Sequence, residues 1–122
     1  MITAGFGFTS RATADSLRAA LVATGHADVV QILATPKDKA AHPAIQELAR
    51  DTSLGIKAIQ PAALQAARTR TQSAISRLTR RTGSVAEATA LAAAGPGAEL
   101  ITPRHISDDR MATCAIAKGP DT

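Results

Sequence analysis

Ser84 and Glu87 stand three residues apart at the head of the alanine-rich run Gly83–Gly95. At that spacing the serine oxygen accepts the backbone N–H of Glu87, and the Glu87 carboxylate reaches back to the N–H of Ser84, a reciprocal helix cap. Free N–H groups and the helix dipole draw anions to such an end, so an exposed first turn could hold a carboxylate or phosphate. Glu87 is also the only carboxylate between Asp51 and Glu99. Besides its cap role it could act as a base or a ligand contact at a pocket mouth. Upstream, Arg77, Arg80 and Arg81 form either a solvated helix face or an anion clamp, since Arg forks pair bidentately with carboxylate and phosphate. Gly5-Phe6-Gly7 is followed by the N-cap candidates Thr9, Ser10 and Thr13. It reads as a tight strand-to-helix turn or as an anion cradle. It lacks the third glycine of a dinucleotide fingerprint and the lysine of a P-loop.

Other chemistries are excluded by spacing. His26, His42 and His105 lie in unrelated segments with no metal-ligand pattern, so no metal and no cofactor is expected. The single cysteine, Cys114, sits in an alternating segment and reads as a small buried hydrophobe rather than a nucleophile. One cysteine forms no internal disulfide, and the expected location is a reducing cytoplasm. There is no Gly-x-Ser-x-Gly elbow, no run long enough to span a membrane, and no signal-peptide pattern at Met1–Gly5. The net charge is +4. Every basic residue between Thr52 and Ala86 is unopposed there by an acidic one, which leaves the rest of the chain net negative. The positive third calls for an anionic partner. Nucleic acid is not expected, because the chain has two Phe and no Trp or Tyr for stacking.

The elements that must position these groups follow from periodicity. Met1–Phe8 reads as a first strand, Ala12–Thr24 as a helix stopped by Gly25, and Val29–Leu33 as an interior strand. Ala34–Lys39 reads as a polar loop. A helix starts at His42-Pro43 and buries Ile45, Leu48 and Ala49, with proline at its first position. Leu54–Ile59 alternates as a third strand, and Pro61 opens a helix carrying Leu64. After a break at Thr69–Gln72, Ser73–Arg81 is helical, then Ser84–Ala94, with Val85, Ala88, Leu91 and Ala92 on a narrow buried stripe. Gly95 and Pro96 end it. Ala98–Ile101 reads as a short strand, Pro103–Arg110 as a polar connection with a turn at Asp108-Asp109, and Met111–Ala117 as the last strand. Alternating strands and helices give an α/β domain with helices on both sheet faces. No helix separates the last two strands, so they pair antiparallel and the sheet is mixed but mostly parallel, with about five strands. At 122 residues one domain is expected, spanning 1–117, with a frayed tail at 118–122.

Several segments together resemble the CobE/CbiG C-terminal domain family of cobalamin biosynthesis. Ser84-Val85-Ala86-Glu87-Ala88-Thr89-Ala90-Leu91 resembles its Ser-Val-Ala-Glu-Ala-x-Ala-Leu signature, and Gly5-Phe6-Gly7 its opening Gly-x-Gly. Leu33-Ala34-Thr35, Lys39 and Pro43-Ala44-Ile45 resemble its Leu-Ala-Thr…Lys-x-x-Glu-Pro-Gly-Leu segment, and Ala112–Ala117 its terminal Thr-x-Ala-x-Ala strand. The matches run in order over nearly the whole chain, and the length resembles the stand-alone CobE form. The chain departs from the pattern at Thr9 (Arg in the family, with Arg11 nearby), His42 (Glu) and Arg104 (Lys). The resemblance implies a three-layer α/β/α domain that binds or carries a corrinoid or precorrin polycarboxylate. Gly5, Gly7, Lys39 and Ser84 would line the site, Arg80 and Arg81 would meet carboxylates, and Glu87 would hold the helix end. It also leaves open a hydrolase that opens a precorrin lactone with release of acetaldehyde, for which Glu87 or His42 would be the base. A module docking on another cobalamin-pathway enzyme is the third possibility.

Overall fold

Along β1 (Ile2–Phe8) the side chains alternate between two helical layers. Ala4 and Phe6 point into a core with Leu17, Leu21, Leu33, Ile45, Leu48 and Ile116. Thr3, Gly5 and Gly7 point the other way, toward the helix Val85–Ala94. The computed structural model describes residues 1–66, 85–95 and 97–119.

In chain order, β1 is followed by α1 (Ala14–Ala23), β2 (Ile32–Pro36), α2 (Pro43–Thr52), β3 (Ile56–Ile59) and a helical segment at 61–66 (α3). Then come α4 (Val85–Ala94), β4 (Glu99–Ile106) and β5 (Ala112–Lys118). The sheet order is β3-β2-β1-β5-β4. β1, β2 and β3 pair in parallel, and β5 pairs antiparallel with both β1 and β4. Four strands therefore point one way and β5 the other. With α1 and α2 on one face and α4 on the other, this is the expected mixed three-layer α/β/α sheet. Phe6, Leu17, Leu33, Ile45, Leu48 and Ile116 are fully buried, each contributing about 2 kcal/mol by leaving water.

The helix ends have written causes. Thr13 caps α1 in a capping box with Ser16, and Gly25 at φ 77° follows its last turn. His42 caps α2 with Pro43 at the first position, and Ser53 at φ 60° ends it. Across the layer, Arg18 of α1 pairs with Asp51 of α2 at 2.6 Å.

Four expectations are corrected. Val29 lies in a 3-10 turn, Ala27–Val29, and β2 starts at Ile32 because Ile32 is the residue that pairs with Thr3. Ala34, Thr35 and Pro36 continue that strand rather than forming a loop, paired through to Ile59 of β3. β4 runs on to Ile106 through the segment read as a connection. It is an edge strand, and register shifts either side of Thr102 accommodate Pro103. Finally, α4 is sunk into the fold. Every residue from Ala86 to Leu91 is buried, where a narrow stripe and an exposed first turn were expected. Its side chains are so small that its backbone rests on β1. The strand β5 includes Lys118, and the Gly119 N–H donates to the Met1 carbonyl at 3.0 Å.

Candidate functional site

The three parallel strands end at one edge of the sheet, at Phe8, Pro36 and Ile59. α4 runs antiparallel to β1. Gly7 lies beside Val85, Gly5 beside Ala86 and Ala90, and Thr3 donates its hydroxyl to the Ala90 carbonyl at 2.9 Å. The N-terminus of α4 therefore opens at the carboxyl edge of the parallel strands, where open α/β sheets hold their ligands.

Two adjoining hollows lie there. One, of about 250 Å³, is walled by Gly7, Phe8, Pro36, Asp38, Lys39, Leu64 and Val85. The other, of about 510 Å³, is walled by Pro36, Lys37, Asp38, Ile59, Pro61 and Leu64. They share Pro36, Asp38 and Leu64. The resulting cleft has apolar walls and a polar rim supplied by the turn Lys37–Lys39. Such a surface takes an apolar body that carries negative groups at its periphery.

Lys39 sets an ammonium beside the end of β1. Its Nζ sits 5.6 Å from the centroid of the Phe8 ring, over its face. Among the described residues no ion pair or hydrogen bond uses that ammonium. The His42 ring meets Phe8 edge-on, at a centroid distance of 5.1 Å and an interplanar angle of 73°. His42 Nδ1 accepts the Ala44 N–H at 3.1 Å, and Nε2 lies 2.9 Å from the Ser10 carbonyl. The bonding pattern assigns the proton to Nε2, which donates to Ser10. Neither nitrogen then has a lone pair for a water.

The other half of this edge is closed by the protein itself. Ser16, in the first turn of α1, donates to Asp109 Oδ2 at 2.6 Å. Ser107 Oγ and the Met111 N–H donate to Oδ1 at 2.5 and 3.0 Å. These bonds, led by the one from Ser107, hold the Asp109 carboxyl below its ordinary range. The chain thus fills the α1 N-terminus with its own anion.

Of the residues expected to form the site, Gly7 and Lys39 share the cleft. Gly5 and Gly7 are strand residues, not turn residues, and neither has a positive φ. A Cβ on Gly5 would lie 2.3 Å from both the Ala86 carbonyl oxygen and the Ala90 nitrogen, so its place is beneath α4 rather than on the wall. Glu87 is 2% exposed and accepts the backbone N–H of Arg104 at 3.4 Å, facing β4. Ser84, Arg77, Arg80 and Arg81 lie outside the described residues, and with them the Ser84–Glu87 cap. Cys114 is buried mid-strand, and burial pushes its thiol pKa up. Among the described residues no group of His, Cys, Asp and Glu is placed to hold a metal ion. No described helix is long and apolar enough to cross a membrane.

Sequence reasoning missed Phe8, Pro36, Leu64 and Val85, whose apolar types resemble core. One signal was present: Phe8 is one of only two aromatic residues and stands at the end of the first strand.

The cobalamin biosynthesis protein chiG from Agrobacterium tumefaciens str. C58 has a similar solved structure, with 35% identity over 99% of this chain and 100% of its own and a TM-score of 0.77. CobE, a protein from the cobalamin (vitamin B12) biosynthetic pathway, is similar at 29% identity over 96% of this chain and 89% of its own, with a TM-score of 0.74. No curated protein matches the chain. The family model for the cobalamin synthesis G C-terminus matches residues 2–117. With nearly the whole sequence covered by that model and the same fold in two cobalamin-pathway proteins, the chain belongs to the cobalamin synthesis G C-terminus family.

Proposed function

We propose that the protein binds a corrinoid or precorrin polycarboxylate in the cleft at the carboxyl ends of β1, β2 and β3. The observation that carries this reading is the cleft itself. Phe8, Pro36, Ile59, Pro61, Leu64 and Val85 supply an apolar wall, and the turn Lys37–Lys39 supplies two cations and one carboxylate, Asp38, at its rim, a net positive charge. A corrin acid is an apolar macrocycle ringed by carboxylates, so both halves of the surface have a counterpart in the ligand. Arg80 and Arg81 follow Lys39 as carboxylate contacts, and Ser84 and Gly7 border the ligand.

Opening a precorrin lactone is the competing reading. It needs a base that can activate water. His42 has both ring nitrogens engaged, and Glu87 is buried against β4. Neither is set for that task, so binding or carriage is preferred.

The test is a titration with hydrogenobyrinic acid, a metal-free corrinoid acid, followed by its visible spectrum and by co-elution on a sizing column. Stoichiometric co-elution, weakened by Lys39→Ala and by Arg80→Ala/Arg81→Ala, is the expected result. Clean separation of protein and pigment would overturn the binding reading and shift attention to docking on another pathway enzyme. Acetaldehyde released from a lactone-bearing precorrin, above the rate without protein, would favour the hydrolase.

A further inference from the structure

We infer that Phe8 and His42 are positioning residues for Lys39. They hold its ammonium at the wall of the smaller hollow, beside Phe8, where it meets one carboxylate of the bound polycarboxylate. The inference rests on the binding reading above and adds to it the residues that set carboxylate recognition.

Three observations carry it. First, Lys39 Nζ lies over the Phe8 ring without a carboxylate or carbonyl partner among the described residues. A lysine ammonium on a flexible stem loses rotamer freedom when it binds an anion. An aromatic face beneath it removes part of that freedom in advance and leaves the ammonium's remaining protons for the ligand. Second, Phe8 is itself held. It ends β1, paired with Ala112, and the His42 ring stands edge-on against it. Third, the His42 ring cannot turn freely. Its two nitrogens tie the start of α2 at Ala44 to the loop after β1 at Ser10. One imidazole therefore joins the two segments that carry Phe8 and Lys39. The arrangement has no catalytic duty; it fixes where a cation stands.

The chemistry predicts a dependence that a purely structural role does not. Lys39 and Phe8 should matter more for a ligand with free carboxylates than for the same macrocycle with its carboxylates esterified, which still meets the Phe8 wall. The experiment measures affinity for hydrogenobyrinic acid and for its methyl ester by tryptophan-free optical titration of the pigment band. Lys39→Ala is expected to weaken the acid about tenfold, the scale of one charge-assisted hydrogen bond. Phe8→Leu is expected to weaken it about threefold to fivefold, the scale of a cation–π contact. Phe8→Tyr, which keeps the π face, should bind as the wild type does. Measured as the ratio of acid to ester affinity, which removes the apolar contact of Phe8 with the macrocycle, the double variant Phe8→Leu/Lys39→Ala should show no further loss beyond Lys39→Ala alone, because Phe8 acts on the carboxylate through the ammonium. His42→Asn keeps the helix cap at Ala44 but loses the bond to Ser10, so it should lower the melting temperature by only about 4 °C while weakening the acid about threefold. Because Phe8 also belongs to the apolar wall, the readout is the ratio of acid to ester affinity, which each of these substitutions except Phe8→Tyr should lower.

If the wild type binds the acid but Phe8→Leu and His42→Asn bind it equally well, the inference falls while the binding reading stands. Full additivity of Phe8→Leu with Lys39→Ala in the ratio of acid to ester affinity also overturns it, as does equal weakening of acid and ester. A wild type that binds neither pigment removes the binding reading and the inference together.

Discussion

Replacing Gly5 with alanine is expected to destabilise the fold strongly although it adds one methyl group. The new Cβ would lie 2.3 Å from the Ala86 carbonyl oxygen, 2.3 Å from the Ala90 nitrogen and 2.8 Å from the Ala90 Cα. All three are backbone atoms, so no side chain can turn aside. Restoring van der Waals contact requires α4 to retreat by about 1 Å, and a gap of that size forfeits up to half of each dispersion well. It also breaks the Thr3 hydroxyl bond to the Ala90 carbonyl, 2.9 Å long, at about 1 kcal/mol. Overpacking of this kind costs about 1–3 kcal/mol. The stiffer unfolded chain of an alanine variant returns about 0.5 kcal/mol. The net is about 3 kcal/mol, or about 12 °C in melting temperature for a chain this long. The control is Gly7→Ala, whose Cβ would meet Thr113 Oγ1 at 3.1 Å and Val85 Cβ at 3.3 Å, both side-chain atoms that can give. It should cost less than about 1 kcal/mol. Thermal and urea unfolding of both variants measure the difference. A Gly5→Ala protein no less stable than Gly7→Ala would refute the claim that α4 rests backbone-to-backbone on β1.

Two further outcomes follow from the titrating groups. Asp109 is held below the usual carboxylate range by donors present only in the fold, so its stabilisation is complete above the unfolded value of about 3.9 and is lost as pH falls through the lowered folded value. Asp109→Asn should therefore flatten the acid limb of a stability-versus-pH curve, and an unchanged slope between wild type and variant would count against the network. Cys114 is fully buried and its thiol pKa is raised by that burial, so a thiol reagent at neutral pH should label the native protein only as fast as the protein opens; rapid labelling in native buffer would contradict the placement.

Elements with strong local punctuation were legible in the chain. Thr13 and Gly25 bracket α1, His42-Pro43 opens α2, and Gly95 closes α4, because caps and breakers act within a few residues. What depended on partners was not legible. The run Val29-Val30 drew the second strand too early, yet its register is set by Thr3 pairing with Ile32. Pro103 looked like the end of a strand, but an edge strand with shifted register accepts it. Gly5 looked like a turn residue because glycine serves turns, strands and close approaches alike, and only the position of α4 selects among them. The site divides the same way. Gly7 was marked by its place in a possible anion cradle and again by the family resemblance, and Lys39 by the resemblance alone, whereas the apolar wall was hidden among core-like residues. Nothing local in Phe8, Leu64 or Val85 says that three separate segments converge.

The reversed strand β5 also dictates a timetable. β1 is the middle strand of the sheet, and on one side it pairs with β5 from Ile2–Lys118 to Phe8–Ala112, so the first strand made waits for the last. During synthesis β1 can join β2 and β3 early, yet its other edge stays bare until β5 has emerged. A closing step that joins strands as far apart in sequence as β1 and β5 has a large loop-closure entropy and is intrinsically slow. Until it occurs, the nascent chain carries an open strand edge next to Phe6 and Phe8, the kind of surface on which chains associate with one another.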